Sequence, residues 1–356
     1  MKKKSIKINL NNPNHTFIIA EAGSNWKVGN YHKDLKQAKK LIDTAKKCDA
    51  DAIKFQTYSS KGVYVSNAGK SNYLSKFGVN KKITELFDEF SMPHKMIKQL
   101  NSYCKSKKII FMSTAFSIDD AQAVDEYVLI HKVASYEINH IPLLKFLAKT
   151  KKPIILSTGA STLEEIDFAI KTIKKTGNTN LALLQCTAKY PAPIESLNLS
   201  VIPSLKKKFH ITLGLSDHSI DPIVAPLVAI GLGASIIEKH FTLNKNLEGP
   251  DHFFALEPKE LATMIKAIRN ADKAKGNFIK EIVKEEKELR KFATRSIQAI
   301  KNIQKGEKLK IGYNIDILRP GIQPRGAEAR FLNKINGKIS LKKIKSGTGV
   351  KLSDCR

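Results

Sequence analysis

The sequence predicts a (β/α)8 barrel of the TIM type followed by a small β-rich module. Two observations carry the barrel. Eight short β-like runs recur along the first part of the chain, and all but the first are introduced by a helical pattern. Strands alternating with helices of ~10–15 residues build parallel βα units, and eight such units in ~250 residues fill one barrel. The third observation is the loss of that alternation near residue 280. A chain of 356 residues, 42% of them hydrophobic, has material for one large core and a small one.

The elements follow in order. "TFIIAEAG" is the first run, "DLKQAKKLIDTAKKC" the first helix and "DAIKFQTY" the second run. The helical stretch "SMPHKMIKQLNSYCKSKK" leads into "IIFMSTAFS", and "IDDAQAVDEY" into "VLIHKVASYE". "IPLLKFLAKTKK" precedes "PIILSTGAS", and "TLEEIDFAIKTIKKTG" precedes "LALLQCTAKYPAP". "VIPSLKKKF" introduces "ITLGLSDHS", "PIVAPLVAIGLG" introduces "ASIIEKHFT", and "EPKELATMIKAIRNADKAKG" closes the series. A doubly wound open sheet is the structural alternative, but no GxGxxG opens the first helix, and "GLGAS" comes late without its third glycine.

The expected boundaries are a barrel over residues 1–280, a charged helical linker over 281–292 and a β-rich module over 293–356. Within the module, "AIKNIQKGEKLKIGYN" and "SLKKIKSGTGVKLSD" read as imperfect copies of one unit. Each has a short β run, a Lys-Gly or Ser-Gly turn and another run, which predicts two hairpins. Between them "ILRPGIQPRG" is a loop by its Pro and Gly content.

The net charge of +28 raises the question of nucleic acid. The basic residues are overwhelmingly lysines spread over every amphipathic segment, and the first arginine is Arg269. Readers of phosphate and base edges lean on arginine forks, so the lysines read as solvated helix faces and no nucleic-acid partner is expected. No apolar stretch approaches ~18 residues, so no membrane span is expected. The basic head "MKKKSIKINLNNPNH" lacks the apolar core of a secretory signal. Cys48, Cys104, Cys186 and Cys355 are scattered without a CxxC pair. Together these point to a reduced, cytoplasmic setting.

Barrel active sites form at the carboxyl ends of the strands. Every predicted run ends in polar groups: Glu21 and Asn25; Lys54 and Gln56; Ser113 and Thr114; Lys132, Ser135 and Glu137; Ser157 and Thr158; Thr187 and Tyr190; Ser216, Asp217 and His218; Glu238 and His240. A ring-shaped site produces that pattern. His218 and His240 end neighbouring strands, which lie ~4.8 Å apart, so their imidazoles can share a divalent metal and leave other positions open. Glu238 and Lys239 are expected to support the strand end. Lys54 and Lys132 sit in apolar strand sequence, where a lysine is costly unless it meets an anion. Thr114, Ser135, Ser157 and Ser216 are a natural lining for phosphate or carboxylate. An internal ion pair with Glu21 is the alternative role for Lys54.

"FIIAEAGSN", "IKFQT", "STAFS", "HKVASYE", "PIILSTGAS", "GLSDHS", "EKHFT" and "GPDH" occur in this order. Over nearly the whole chain the sequence resembles the sialic acid synthase family, whose members join phosphoenolpyruvate to an acylated amino-sugar aldehyde. The C-terminal part, with "LRPG", resembles the antifreeze-like (SAF, β-clip) domain of those enzymes. The resemblance implies a nonulosonate synthase acting on N-acetylmannosamine or a diacetamido-trideoxyhexose. It implies a domain-swapped homodimer in which Arg319 reaches the partner's sugar pocket. Lys54, Thr114, Lys132, Ser135, Ser157 and Ser216 would hold phosphoenolpyruvate. His218 and His240 would hold Mn2+, with Mg2+ or Co2+ as substitutes. Glu21, Gln56, Tyr190 and Asp251 would face the sugar, and Glu137 would stand near the reacting enol carbon. Glu21, Lys54, Lys132 and Glu137 form the implied catalytic set.

Three positions depart from the family pattern. Ala188 stands where Asn is frequent, Trp26 where His is common and Ala115 where Pro is usual. They bear on which sugar is accepted. A phosphoenolpyruvate-dependent synthase of a phosphorylated sugar is a competing reading, which the scarcity of barrel arginines disfavours. A non-catalytic carbohydrate-binding protein is another, and it predicts sugar affinity indifferent to His218→Ala or His240→Ala.

Overall fold

The computed structural model describes residues 9–70, 81–277 and 279–356. The chain divides into two compact units, Met1–Asn277 and Phe278–Arg356. In the first, strands β1 (Phe17–Gly23), β2 (Ala52–Thr57), β3 (Ile110–Ala115), β4 (His131–Val133), β5 (Ile154–Ser157), β6 (Leu181–Cys186), β7 (Thr212–Asp217) and β8 (Ile236–His240) close into a barrel in sequence order. Every pairing is parallel, and β8 returns to β1 with His240 opposite Glu21. Each predicted run contains one of these strands.

Eight helices surround the barrel: α1 (Tyr31–Lys47), α2 (His94–Lys107), α3 (Ile118–Asp125), α4 (Ile141–Lys149), α5 (Leu163–Lys174), α6 (Val201–Phe209), α7 (Val224–Gly231) and α8 (Pro258–Lys275). Their starts are written locally. The Asn30 side chain accepts from Lys33 N at 3.1 Å ahead of α1. Thr162 and Glu165 cap α5 reciprocally, with Thr162 N donating to Glu165 Oε2 at 2.7 Å. Among the described residues, two short helices, Ser60–Val63 and Ile83–Phe90, lie between β2 and α2. Among the described residues no helix is long and apolar enough to cross a membrane.

Strand alternation sorts side chains between two cores. Residues such as Ile18, Ile53, Leu156 and Leu183 face the helices and join the large outer core. Phe17, Ile19, Met112, Ile155, Leu184 and Ile236 fill the barrel interior as a dry floor. Truncating one of them to Ala costs about 2–5 kcal/mol. Gly214 is required in this floor, because a Cβ there would meet Ile236 O at 2.5 Å and Leu184 Cδ2 at 2.6 Å. One turn further along the strands, the same inward parity carries polar groups.

In the second unit a helix, Lys287–Ala293, precedes the antiparallel pair β9 (Ser296–Ala299) and β10 (Ile315–Leu318). The two sequence copies have turns at Gly306 and Gly347, with φ +88° and +81°. The ends of each copy meet about its turn as expected, Ile300 N donating to Asn314 O at 2.9 Å and Leu341 N to Asp354 O at 2.8 Å, but the runs beside the turns do not pair within their copy. The copies pair with each other, Ile303 with Ile344, and Lys308 with Ile339 in the stretch leading into the second copy. This places Ile303, Leu309, Ile344 and Val350 in one small core, which separate hairpins would leave without an apolar partner.

Candidate active site

Counting along each strand by twos locates the site. On β8, Ile236 lies in the barrel floor, so Glu238 and His240 point inward and Lys239 points outward. Lys54 follows Ala52 inward on β2, Thr114 follows Met112 on β3, and Ser157 follows Ile155 on β5. All are buried, Lys54 and Lys132 at 3% exposure each.

Two lysines are the centre of this layer. Lys54 Nζ donates to Thr114 Oγ1 at 2.8 Å and pairs with Glu21 Oε2 at 2.7 Å. Lys132 Nζ donates to Ser157 Oγ at 2.8 Å. Glu238 Oε1 stands between them, 3.6 Å from Lys54 and 3.8 Å from Lys132, and accepts from Ser216 Oγ at 3.2 Å. Gln56 Nε2 donates to the other oxygen of Glu21 at 2.9 Å. Burial pulls the Lys54 ammonium toward neutrality, but Glu21 and Glu238 outweigh it and hold its pKa above the ordinary value. Burial wins at Lys132, whose pKa is lowered despite Glu238.

The carboxylates split in the same way. Burial lifts Glu21 to about 7 against the pull of Lys54. Burial also lifts Glu137 to about 7 against Lys132, and Glu137 Oε2 is buried without a hydrogen-bond partner. At Glu238 the burial penalty is outweighed by Lys132 and Lys54, and its pKa falls below the usual carboxylate range.

The two histidines come together above this layer, with ring centroids 5.5 Å apart. His218 Nδ1 lies 2.9 Å from Thr187 O, which fixes the ring and leaves Nε2 for another partner. His240 Nδ1 is buried with no hydrogen-bond partner. Burial, reinforced by His240 for the one and Lys54 for the other, holds both near 3, so both imidazoles are neutral at physiological pH. Tyr190 lies over His218 at 4.1 Å between centroids.

A cavity of about 730 Å³ opens over the barrel mouth. Gln56, Ser135, Ala188, Tyr190, His240 and Asp251 line it. Asp251 Oδ2 accepts from Ser24 N at 3.1 Å and from Ser24 Oγ at 2.9 Å, which anchors the "GPDH" loop to the end of β1. Ser135 Oγ accepts from Gly159 N at 2.9 Å. A Cβ at Gly159 would stand 3.0 Å from each of Ser135 Oγ, Cys186 Sγ and Ala188 Cβ, so this corner is closely filled.

Other polar strand ends stay out of the cavity. Ser113 hydrogen bonds Thr57 at 2.8 Å on the helix side of β3. Asp217 pairs with Lys239 at 2.6 Å, both buried behind the barrel wall. Glu21 reaches the lysine layer but does not line the cavity. Trp26 is 1% exposed and belongs to the outer core, and Ala115 is buried there too. Arg319 is exposed in the second unit, directly after β10. Sequence reasoning missed Glu238 as an inward group and gave Cys186 no place in the site. Strand parity with His240 would have found the first, and parity with Leu184 the second.

Residues 41–280 match the family model described as NeuB family. The chain is 40% identical to the spore coat polysaccharide biosynthesis protein SpsE of Bacillus subtilis, over 95% of this chain and 93% of that protein. It is 39% identical to the N,N'-diacetyllegionaminic acid synthase of Campylobacter jejuni, over 93% and 97% respectively. Among solved structures it resembles the N-acetylneuraminic acid synthetase of Leptospira borgpetersenii in complex with citrate, with TM-score 0.68 and 35% identity, covering 80% of this chain and 95% of that one. An inward lysine pair, a neutral histidine pair and the match over most of the barrel place this chain in the NeuB family, that of the sialic acid synthases.

Proposed function

We propose that this enzyme condenses phosphoenolpyruvate with an N-acylated amino-sugar aldehyde and water, giving a nine-carbon 2-keto-3-deoxy acid and phosphate. The observation that carries the reading is the lysine layer. Lys54 with Thr114 and Lys132 with Ser157 present two ammonium groups and two hydroxyls in a buried layer of the barrel. A small molecule bearing both a carboxylate and a phosphate matches that spacing of charge, and such donors strengthen as water is excluded. Ser135 and Ser216 extend the lining.

Gln56, Tyr190 and Asp251, on the cavity wall, orient the sugar so that its aldehyde carbon faces C3 of phosphoenolpyruvate. The C3–aldehyde bond forms, positive charge develops at C2, and water adds there. The C2–O bond to phosphate then breaks. Glu137 takes the proton of the added water, a role supported by its unpartnered oxygen and a pKa near neutrality. Lys54 and Lys132 offset the charge on the carboxylate and the departing phosphate throughout.

His218 and His240 fit a divalent metal, because both are neutral and His240 Nδ1 is an orphaned buried donor site. When bound, Mn2+ (or Mg2+ or Co2+) would supply Lewis-acid polarisation of the aldehyde oxygen. Among the described residues no cluster of three or more His, Cys, Asp or Glu side chains forms, so two protein ligands would leave coordination open to substrate. The second unit is read as an SAF domain that brings Arg319 to the sugar pocket of a partner subunit in a homodimer.

The test is phosphate release from phosphoenolpyruvate by Mn2+-loaded protein with N-acetylmannosamine or a diacetamido-trideoxyhexose. Release that depends on the sugar supports the reading. No release with either sugar, with or without metal, contradicts it.

A further inference from the structure

We propose that Lys239, on the outer face of β8, is a positioning residue whose ammonium sets the place of His218 relative to His240 and thereby tunes the metal affinity of the pair. The inference rests on the reading of those histidines as metal ligands and goes beyond it, because Lys239 points away from the cavity and lines no part of it. The two histidines are held differently. His240 ends β8 and pairs with Glu21 on β1. His218 lies one residue past β7, where the ladder to β8 has ended at Asp217 and Lys239. Whatever fixes His218 against β8 acts from beyond that ladder.

Lys239 does so from the residue before His240. Its side chain is buried, 1% exposed. Nζ donates to Asp217 Oδ2 at 2.6 Å, to Ser219 O, to Ser219 Oγ at 3.2 Å and to Asp221 O at 3.1 Å. These acceptors flank His218 on both sides in the chain. Asp217 Oδ1 in turn accepts from Ser219 N at 2.8 Å, and Asp221 Oδ1 accepts from Ile223 N at 2.7 Å and Val224 N at 2.6 Å. The turn from Asp217 to Asp221 is thus wrapped about one charge rooted in β8. Apolar packing could hold the two strands together at no lower stability. It lacks the direction that hydrogen bonds impose on a turn.

Two other contacts act on His218. Its Nδ1 lies 2.9 Å from Thr187 O, and its carbonyl accepts from Ala192 N at 2.9 Å. Both come from the chain that follows β6. They orient the ring without tying it to the strand that carries His240. Lys239 makes that tie. Groups that orient metal-ligating side chains without touching the metal alter its affinity by ~10–100-fold.

The experiment titrates Mn2+ into metal-free, full-length protein, following free Mn2+ by electron paramagnetic resonance, with phosphoenolpyruvate affinity and Tm measured on the same samples. Lys239→Met should raise the Mn2+ Kd by ~10–100-fold and leave phosphoenolpyruvate binding to the metal-free protein unchanged. Its Tm should fall, because Asp217 is left buried and unpaired. The double variant Asp217→Asn/Lys239→Met removes both charges and should regain Tm while Mn2+ binding stays weak. Recovery of Mn2+ affinity together with Tm assigns the pair to stability alone and overturns the inference. So does a wild-type Mn2+ Kd in Lys239→Met, or a loss of phosphoenolpyruvate affinity equal to the loss of Mn2+ affinity. Mn2+ binding that His240→Ala leaves unchanged, or no binding by the wild type, overturns the metal reading, and the inference with it.

Discussion

Glu238 and Lys132 face each other 3.8 Å apart at the centre of the barrel, with Lys54 3.6 Å from the same carboxylate oxygen. One carboxylate thus stands between two ammonium groups that would otherwise repel. Removing one partner of a buried pair costs about 3–5 kcal/mol. Glu238→Gln keeps the shape and loses the charge, so its Tm should fall. An added anion can then replace the lost charge. Inorganic phosphate should raise the Tm of Glu238→Gln more than that of the wild type. Equal stabilisation of the two would show that Glu238 does not screen the lysines.

Lys54→Met and Lys132→Met remove one charge-assisted donor each. Loss of a preorganised donor costs on the order of 10²–10³ in kcat. Steady-state phosphate release should fall by that factor in each variant, with the fold intact by circular dichroism. A variant that keeps wild-type kcat would remove its lysine from the proposed chemistry.

Glu137 gives the pH dependence. Its carboxyl is lifted to about 7 by burial. As the proposed base it acts when ionised, so kcat/KM should rise with pH through about 7 and level above it. Glu137→Gln should lose that limb. The stability effect has the opposite sign. A raised carboxyl favours the folded state while protonated, fully below its unfolded value near 4.5, and the benefit is lost as pH rises through about 7. Glu137→Gln should therefore flatten a fall in Tm over that window.

The buried histidines act on the acid side. Burial holds His218 and His240 near 3, and His131 and His252 near 4. Their folded values lie below the unfolded value of about 6.5. The stability they contribute is present above that value and is lost as pH falls toward 3. Glu21 and Glu137, both raised to about 7, act in the opposite sense between pH 7 and 4.5. The histidine loss is therefore read below about pH 4.5, where the carboxyls no longer add stability. There metal-free protein should lose Tm steadily as pH falls, and Mn2+ should lose its stabilising effect as the pH falls if the histidine pair holds it. A Tm flat from about pH 4.5 to 3 would contradict the burial of these groups.

Much of the barrel was legible because its signal is local and repeated. Apolar runs, helical spacers and turn residues recur eight times, and each unit repeats the inference. The lysines and histidines were legible because a charge in strand sequence, or a histidine at a strand end, needs a reason. Glu238 was harder. The triplet Glu238-Lys239-His240 reads as a solvated strand end until Ile236 is known to face the barrel interior. From then on period two decides: Glu238 and His240 turn inward, while Lys239 turns outward to Asp217. The aromatic cluster of Tyr58, Phe87 and Phe116 was not legible, since the three lie on separate segments and only folding brings their rings together. The pairing of the two C-terminal copies was hidden for a like reason. Turn residues give the positions of turns, but partner choice depends on which pairing buries Ile303 and Ile344 together.

The most direct test of the central claim is the reaction run in ¹⁸O-labelled water with phosphoenolpyruvate, the diacetamido sugar and Mn2+. Condensation with C–O cleavage predicts unlabelled phosphate, released one for one with a nine-carbon keto acid seen by mass spectrometry. Labelled phosphate, or phosphate without that product, would contradict it.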